Sequence, residues 1–350
     1  MIGQKLLGDC APNATGRCLK AGHKFEGYYL QSEIAELVSF AKDFGIRVIP
    51  EIEQPEHAYG YDFLSGPNGS GEIVVCSYSG AMLYNDPANK TVNTLKSIYS
   101  EMAHLFPDNV FHMGGDEPYC MHECTMESVQ RMESELARHL VSEGKTPMGW
   151  EEILFITKGA QATPNKSAIV VAWAKHSAAQ IVAAGYRAVE ANAGHFYLSS
   201  RLRGHNVPTG EQEFWYNISE GVPDGHANPL LLGGSLSFWT DEFSSCHQGE
   251  ARGAFLFPRS QDLGFHRAST GMIWPRGYMG AGSFWNYFPL NYTGASNGSA
   301  TFEMQLYNLN TRFRLERNVS NCHCDVDKCP AQGCTFDSGC EFGKYSTLTS

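Results

Sequence analysis

The hydrophobic pattern alternates between helical spacing and short apolar runs. Ile34, Leu37, Val38 and Ala41 lie three or four residues apart, which predicts a helix from about Ser32 to Phe44. Ser32 is placed to cap its start and Gly45 to stop it. Val92, Leu95, Ile98, Tyr99, Met102 and Leu105 share one face of a second helix, about Thr91 to Phe106. A third spans about Met126 to Glu143 and stops at Gly144, and a short one, about Ser177 to Ala184, ends at Gly185. Strands are predicted at Arg47 to Ile52, up to His112, Thr146 to Trp150, Ile169 to Trp173, Arg187 to Ala191 and Leu230 to Phe238. Strands alternating with helices indicate a parallel sheet with crossover helices.

Polar and aromatic residues gather where these strands end: Glu53 and His57, Asp116 and Glu117, Trp150, Trp173, Tyr197 and Trp239. In a (β/α)8 barrel the carboxyl ends of the strands carry the active site. Any one Trp is more simply a core residue. Rings at successive strand ends instead suit the flat apolar face of a sugar. The densest chemistry is His112-Met113-Gly114-Gly115-Asp116-Glu117. Neighbouring side chains on a regular strand point to opposite faces. Asp116 and Glu117 can serve one site only if the backbone bends, and Gly114-Gly115 permits a bend. Two carboxylates held close resist joint ionisation, so one is expected to keep its proton and act as a general acid. The plainer alternative is a solvated acidic turn.

Composition narrows the class. The chain has 350 residues, 42% hydrophobic and 12% aromatic, enough for a large core. A net charge of −11 disfavours nucleic-acid binding. No apolar run reaches the length of a membrane span, and no signal peptide is visible. Eleven cysteines nevertheless point outside the cytosol. Cys10 and Cys18 bracket one loop, Cys120 and Cys124 another, and Cys322, Cys324, Cys329, Cys334 and Cys340 crowd the tail. Zinc is the rival reading of the tail, but the irregular spacing favours disulfides, with one cysteine left over. Eight N-x-S/T sequons, at Asn13, Asn68, Asn89, Asn165, Asn217, Asn291, Asn297 and Asn318, favour a glycosylated protein of the secretory pathway, lysosomal or extracellular.

Six segments in order, from about Tyr29 to Trp285, resemble glycoside hydrolase family 20, the β-N-acetylhexosaminidases. His112 to Glu117 resembles its H-x-G-G-D-E signature. Val48 to Ala58 resembles V-I-P-E-I-D-x-P-G-H-A, and Trp150-Glu151-Glu152-Ile153 resembles W-x-E-[IV]. Phe196-Tyr197-Leu198 is similar to W-Y-L-[DN], Gly233 to Asp241 to G-G-…-W-x-E, and Trp274-Pro275-Arg276 with Trp285 to the closing W-P-R…W. The resemblance implies a (β/α)8 TIM-type barrel over residues 1–317, lacking its first two strands in this chain, and a disulfide-rich tail over 318–350. It also implies an exo-acting, retaining β-N-acetylhexosaminidase in which the substrate's own acetamido group attacks the anomeric carbon. Glu117 would be the general acid and base. Asp116 would hold the acetamide N–H, and Tyr197 its oxygen. Trp150, Trp173 and Trp239 would wall the sugar pocket, with Asp241 on a sugar hydroxyl, and Glu53 and His57 would tune the general acid. No cofactor and no metal are implied. The expected partners are N-acetylhexosamine-terminated glycans, and a homodimer is a further expectation.

The chain also departs from the family pattern. Glu53 and Asp241 stand where Asp and Glu are usual, with Glu242 a substitute for the latter. Ser199 replaces Asp or Asn, and Glu56 replaces Gly. The opening strand with its sugar-binding Arg and the H-W-H-x-[TS]-D segment are not present. These departures motivate an alternative, a catalytically lapsed secreted glycan-binding homologue. A weaker option is a related enzyme releasing a disaccharide. An open barrel would expose strand edges, so the chain alone is expected to be poorly stable or weakly active. Soluble yield and a melting transition, compared with a chain carrying both segments, test this expectation, and equal behaviour defeats it.

Overall fold

The computed structural model describes residues 29–58, 61, 64, 71–77, 82–83, 86–118, 125–155, 166–198, 216–239, 273 and 276–285. They fall in two compact units. One takes the described residues up to Glu190 together with Ser219–Leu232, and the other takes Ala191–Ile218 and the described residues from Gly233 on. The cysteine loops, the 318–350 tail, Ser199, Asp241 and Glu242 lie outside the described residues.

The first unit opens with helix α1 (Gln31–Asp43) and an antiparallel strand pair, β1 (Val75–Ser77) and β2 (Met82–Leu83). Then follow α2 (Lys90–Leu105), β3 (Val110–His112), α3 (Met126–Ser142), β4 (Thr146–Trp150) and the single turn α4 (Glu152–Phe155). Next come β5 (Ile169–Ala172), α5 (Ala178–Ala183), β6 (Arg187–Glu190) and β7 (Leu231–Gly234), whose first half belongs to this unit. The main sheet has the order β3-β4-β5-β6-β7. The pairs from β3 to β6 are parallel, with Val110 opposite Thr146, Met148 opposite Ile169, and Ile169 opposite Arg187. Among the described residues no helix is long and apolar enough to cross a membrane.

The spacing of apolar residues finds α2, α3, α5 and β3 to β6 to within a residue or two; it does not predict β1, β2 or α4, and three predicted elements differ. Residues 47–52 do not form a strand. They run alongside β3 and make a single bridge, Glu51 to His112. Pro50 has no N–H to give, so the contact reduces to His112 N–H on Pro50 O at 2.9 Å and Ile52 N–H on His112 O at 3.1 Å. The expected strand from Leu230 to Phe238 stops at Gly234, and Gly233 within it takes φ 134°, which suits glycine. Helix α1 starts before Ser32: Leu30 takes the cap position, and its N–H donates to Glu33 Oε2 at 2.6 Å. Of the expected α1 face, Val38 and Ala41 are buried while Leu37 is 50% exposed.

Two cores hold the first unit. Val92, Leu95 and Tyr99 of α2 meet Met132, Leu136 and Leu140 of α3 and Phe111 of β3. The buried Tyr99 hydroxyl donates to Ile52 O at 3.1 Å, which ties residues 47–52 to this core. Val170 and Ala172 of β5, Ala188 of β6, and Ile181 and Val182 of α5 form the second core with Ile153. In the second unit the single turn α6 (Ala193–Phe196) precedes Tyr197, which bridges to Ser237. Tyr197 therefore follows a helical turn and does not end β6. Helix α7 (Arg276–Trp285) places the buried Arg276, whose guanidinium donates to Leu198 O at 3.0 Å and Tyr197 O at 3.2 Å.

One residue breaks the apolar face of α3. Glu133 is buried between Val129, Met132, Leu136 and Ala137, and its Oε1 has no hydrogen-bond partner among the described residues. Burial, with the charge of Glu152 adding, pushes its carboxyl up to about 8. The unfolded chain releases this proton near the ordinary 4.5, while the folded chain holds it to about 8. The unfolded state thus binds fewer protons across that window, and stability falls as pH rises through it, by about 1.4 kcal/mol per pH unit from this group. Glu133→Gln keeps the shape and removes the titration. Its melting temperature is expected to fall less steeply than that of the native chain between pH 5 and 8, as followed by circular dichroism. Parallel curves would show that Glu133 is not the buried acid described.

Candidate active site

The site grows from the turn after β3. Gly114 and Gly115 take φ 68° and 97°, and Glu117 takes φ 48°, so the backbone leaves the strand direction at once. The glycines also make room. A Cβ at Gly114 would collide with the Glu53 carboxyl, and one at Gly115 with Ile153 of α4. Through this gap Glu53 Oε1 reaches the Gly115 N–H at 3.0 Å, a donor that also serves Gln54 O at 2.7 Å. The bend supplies what the adjacent pair requires: Asp116 and Glu117 both reach one ring nitrogen.

That nitrogen belongs to His57, itself at φ 53°. His57 Nε2 lies 3.2 Å from Glu117 Oε2 and 3.5 Å from Asp116 Oδ2. The side chains grade from open to covered: His57 is 51% exposed, Glu117 46% and Asp116 14%. The hydrogen bond to Glu117 raises the His57 pKa against the opposing effect of burial, and the charges of Asp116, Glu117 and Glu56 add to it. Glu53 turns to Asp116 and to backbone. Burial raises its carboxyl well above the usual range, and the charges of Asp116 and Glu51 push it further. Burial raises Asp116 too, but the charge of His57 and the hydrogen bond from Glu53 hold it back. Both carboxyls are thus raised, Glu53 the further of the two, and a hydrogen bond joins them. The ligand atoms of His57, Asp116 and Glu117 lie within 4.8 Å of one another, so a metal ion could also bridge them. A proton on His57 Nε2 fills the same place.

Two indoles stand beside this cluster. Trp150, at the end of β4, donates Nε1–H to Glu51 Oε1 at 2.8 Å, and His112 Nδ1 lies 3.1 Å from the same oxygen. Burial pushes Glu51 up, but the hydrogen bond and charge of His112, with the Trp150 bond, bring it below its ordinary value. Trp173, just past β5, meets Trp150 edge to face with ring centres 6.1 Å apart. In the second unit Tyr197 and Trp239 make a similar pair at 6.3 Å. The structure thus brings Glu53, His57, Asp116 and Glu117 together, with Trp150 and Trp173 alongside. It pairs Tyr197 with Trp239.

The family model described as glycosyl hydrolase family 20, catalytic domain, matches residues 9–263. The chain belongs to glycosyl hydrolase family 20. It is 28% identical to beta-hexosaminidase subunit A1 of Dictyostelium discoideum over 240 residues, covering 62% of this chain and 43% of that protein. It is 27% identical to the probable beta-hexosaminidase fdl of Drosophila melanogaster over 274 residues, covering 67% and 40%. The chain thus spans about two fifths of the length of these curated relatives. The solved family 20 β-N-acetylhexosaminidase of Streptomyces coelicolor A3(2) superposes with a TM-score of 0.61 at 18% identity, covering 85% of this chain and 57% of that one. At that identity the likeness carries the fold alone, a TIM-type (β/α)8 domain, in keeping with the parallel sheet.

Sequence reasoning gave no individual role to several acids around this family 20 site. Glu51 anchors Trp150, Glu152 anchors Trp173, and Glu133 lies behind Gly115. For Glu133 there was a signal, a lone charge inside the apolar stripe Val129, Met132, Leu136, Leu140. Glu152 stands at the acidic position of the W-x-E-[IV] segment, which marks the residue but not its partner. Glu56, noted only as a departure, is buried beside His57. Burial raises its carboxyl, which the charge of His57 opposes and the charges of Glu117 and Asp116 reinforce.

The gap at Gly114 yields a direct test. Gly114→Ala is expected to cost about 1–3 kcal/mol in thermal unfolding, through the left-handed backbone and the collision with Glu53. Adding Glu53→Ala should recover the steric share of that loss. No recovery would show that Glu53 does not occupy the gap.

Proposed function

We propose that the protein is a retaining exo-β-N-acetylhexosaminidase that removes terminal N-acetylhexosamine from glycoconjugates or chitooligosaccharides by substrate-assisted catalysis. One observation carries the reading: Asp116 and Glu117, adjacent in sequence, converge on His57 at the carboxyl end of β3. Glu117, the more open carboxyl, protonates the leaving oxygen and then activates water. Asp116, largely covered beside His57, holds the acetamide N–H. It stabilises the positive charge that develops as the acetamido oxygen attacks. Glu53 supports it from behind through a hydrogen bond, and Trp150 and Trp173 form pocket wall. Motif position, rather than distance, assigns the acetamide oxygen to Tyr197, further wall to Trp239 and a sugar hydroxyl to Asp241. Eight sequons and eleven cysteines support a glycosylated, disulfide-bonded protein of the secretory pathway, and Asn89 of the first described sequon is exposed.

The whole protein is expected to hydrolyse 4-nitrophenyl N-acetyl-β-D-glucosaminide between about pH 4 and 7, the range in which raised carboxyl groups titrate. Glu117→Gln and Asp116→Asn should each lower kcat by about 10²–10⁴-fold at unchanged fold. The rate should fall on the acid side as Asp116 takes up a proton, at a pH above the ordinary aspartate value of 3.8. Full activity in both variants would sink the assignment.

A further inference from the structure

The loop from β5 to α5 carries Trp173, and three buried carboxylates from outside the loop hold it. Glu151, directly after β4 and 1% exposed, points its carboxylate into the loop backbone. Its Oε2 accepts from Trp173 N–H at 2.9 Å and Ala174 N–H at 3.1 Å. Its Oε1 accepts from Lys175 N–H at 2.7 Å and His176 N–H at 3.2 Å, with His176 Nδ1 at 3.0 Å. Four successive amides thus surround one carboxylate, the arrangement that binds free anions elsewhere. Glu190, at the end of β6, accepts the next free amide, Ala178 N–H, at 3.0 Å. Glu152, 3% exposed on α4, accepts the indole Nε1–H of Trp173 at 2.9 Å. Phe155 of the same turn stacks on His176 with ring centres 3.8 Å apart.

We infer that Glu151 and Glu152 are positioning residues, a consecutive pair that fixes the Trp173 ring from its backbone and its indole nitrogen and so sets the affinity of the sugar pocket. This rests on the reading of Trp173 as pocket wall. Buried carboxylates are expensive to desolvate, and an apolar pair would pack a strand end at less cost. What the carboxylates supply is orientation. A tryptophan has two free torsions, and a backbone clamp with an indole acceptor removes both. A wall already in place spares the ligand the cost of ordering it.

The test uses the whole protein with the aryl N-acetylglucosaminide. Glu152→Leu removes the indole acceptor and is expected to raise KM about tenfold with kcat held within about threefold. Glu152→Gln keeps an acceptor oxygen and should restore KM to within about twofold of native. In a Trp173→Phe background, which has no indole N–H, Glu152→Leu should add less than about twofold. Unchanged KM in a folded Glu152→Leu overturns the inference. Equal loss in Glu152→Leu and Glu152→Gln, or undiminished loss in the Trp173→Phe background, overturns it too, since either marks a merely structural role. Should Glu152→Leu not fold, the indole N–H proton resonance of Trp173 decides. It should shift in Glu152→Gln, and an unmoved resonance overturns the clamp. Trp173→Ala separates the two readings. If it leaves KM unchanged, the pocket reading of Trp173 fails and the inference with it. If it raises KM while Glu152→Leu does not, the inference alone fails.

Discussion

Glu53 reaches the backbone after β3 only because residue 114 has no side chain. That gap lets a carboxyl lie against the Gly115 N–H, and the same glycines give the turn its left-handed backbone. Both effects act on the two residues that follow. The turn swings Asp116 and Glu117 toward one imidazole, and the carboxyl beneath gives Asp116 a hydrogen bond that opposes the effect of its burial. The extra methylene of Glu53, relative to the usual Asp, finds a use in this contact. Its carboxyl meets Asp116 and backbone, which leaves His57 to Glu117 and Asp116.

The site is a set of acids sorted by what surrounds them. Glu151 is buried among amide donors, Glu51 lies partly open between an indole and an imidazole, and Glu133 is buried on the apolar face of α3. One residue type thus provides an anchor, a ring support and a protonated core group. The difference is the number of donors within reach of each carboxyl. The rings inherit this sorting, since each indole N–H of the first unit ends on a buried or half-buried carboxylate. Stiff aromatic rings beside a bent strand end suit the proposed reaction, in which the substrate folds its own acetamido group onto the anomeric carbon.

The amino-acid sequence alone determined the alternation of strands and helices from β3 to β6, the parallel sheet and the residues that follow β3, β4 and β5, because apolar periodicity and glycine stops are local properties. β4 was legible to the residue, and so was the Asp116–Glu117 bend, since two glycines before two acids leave few other uses. The tertiary structure decided what depends on distant neighbours. It reduced residues 47–52 to one bridge, because Pro50 meets β3 where an N–H is needed. It left Leu37 exposed, since periodicity gives a helix its apolar side but not the width that is covered. It also assigned the partners of Glu51, Glu53, Glu151 and Glu152. A carboxylate reads alike in a sequence whether water or four amides surround it, and only the folded chain places those amides.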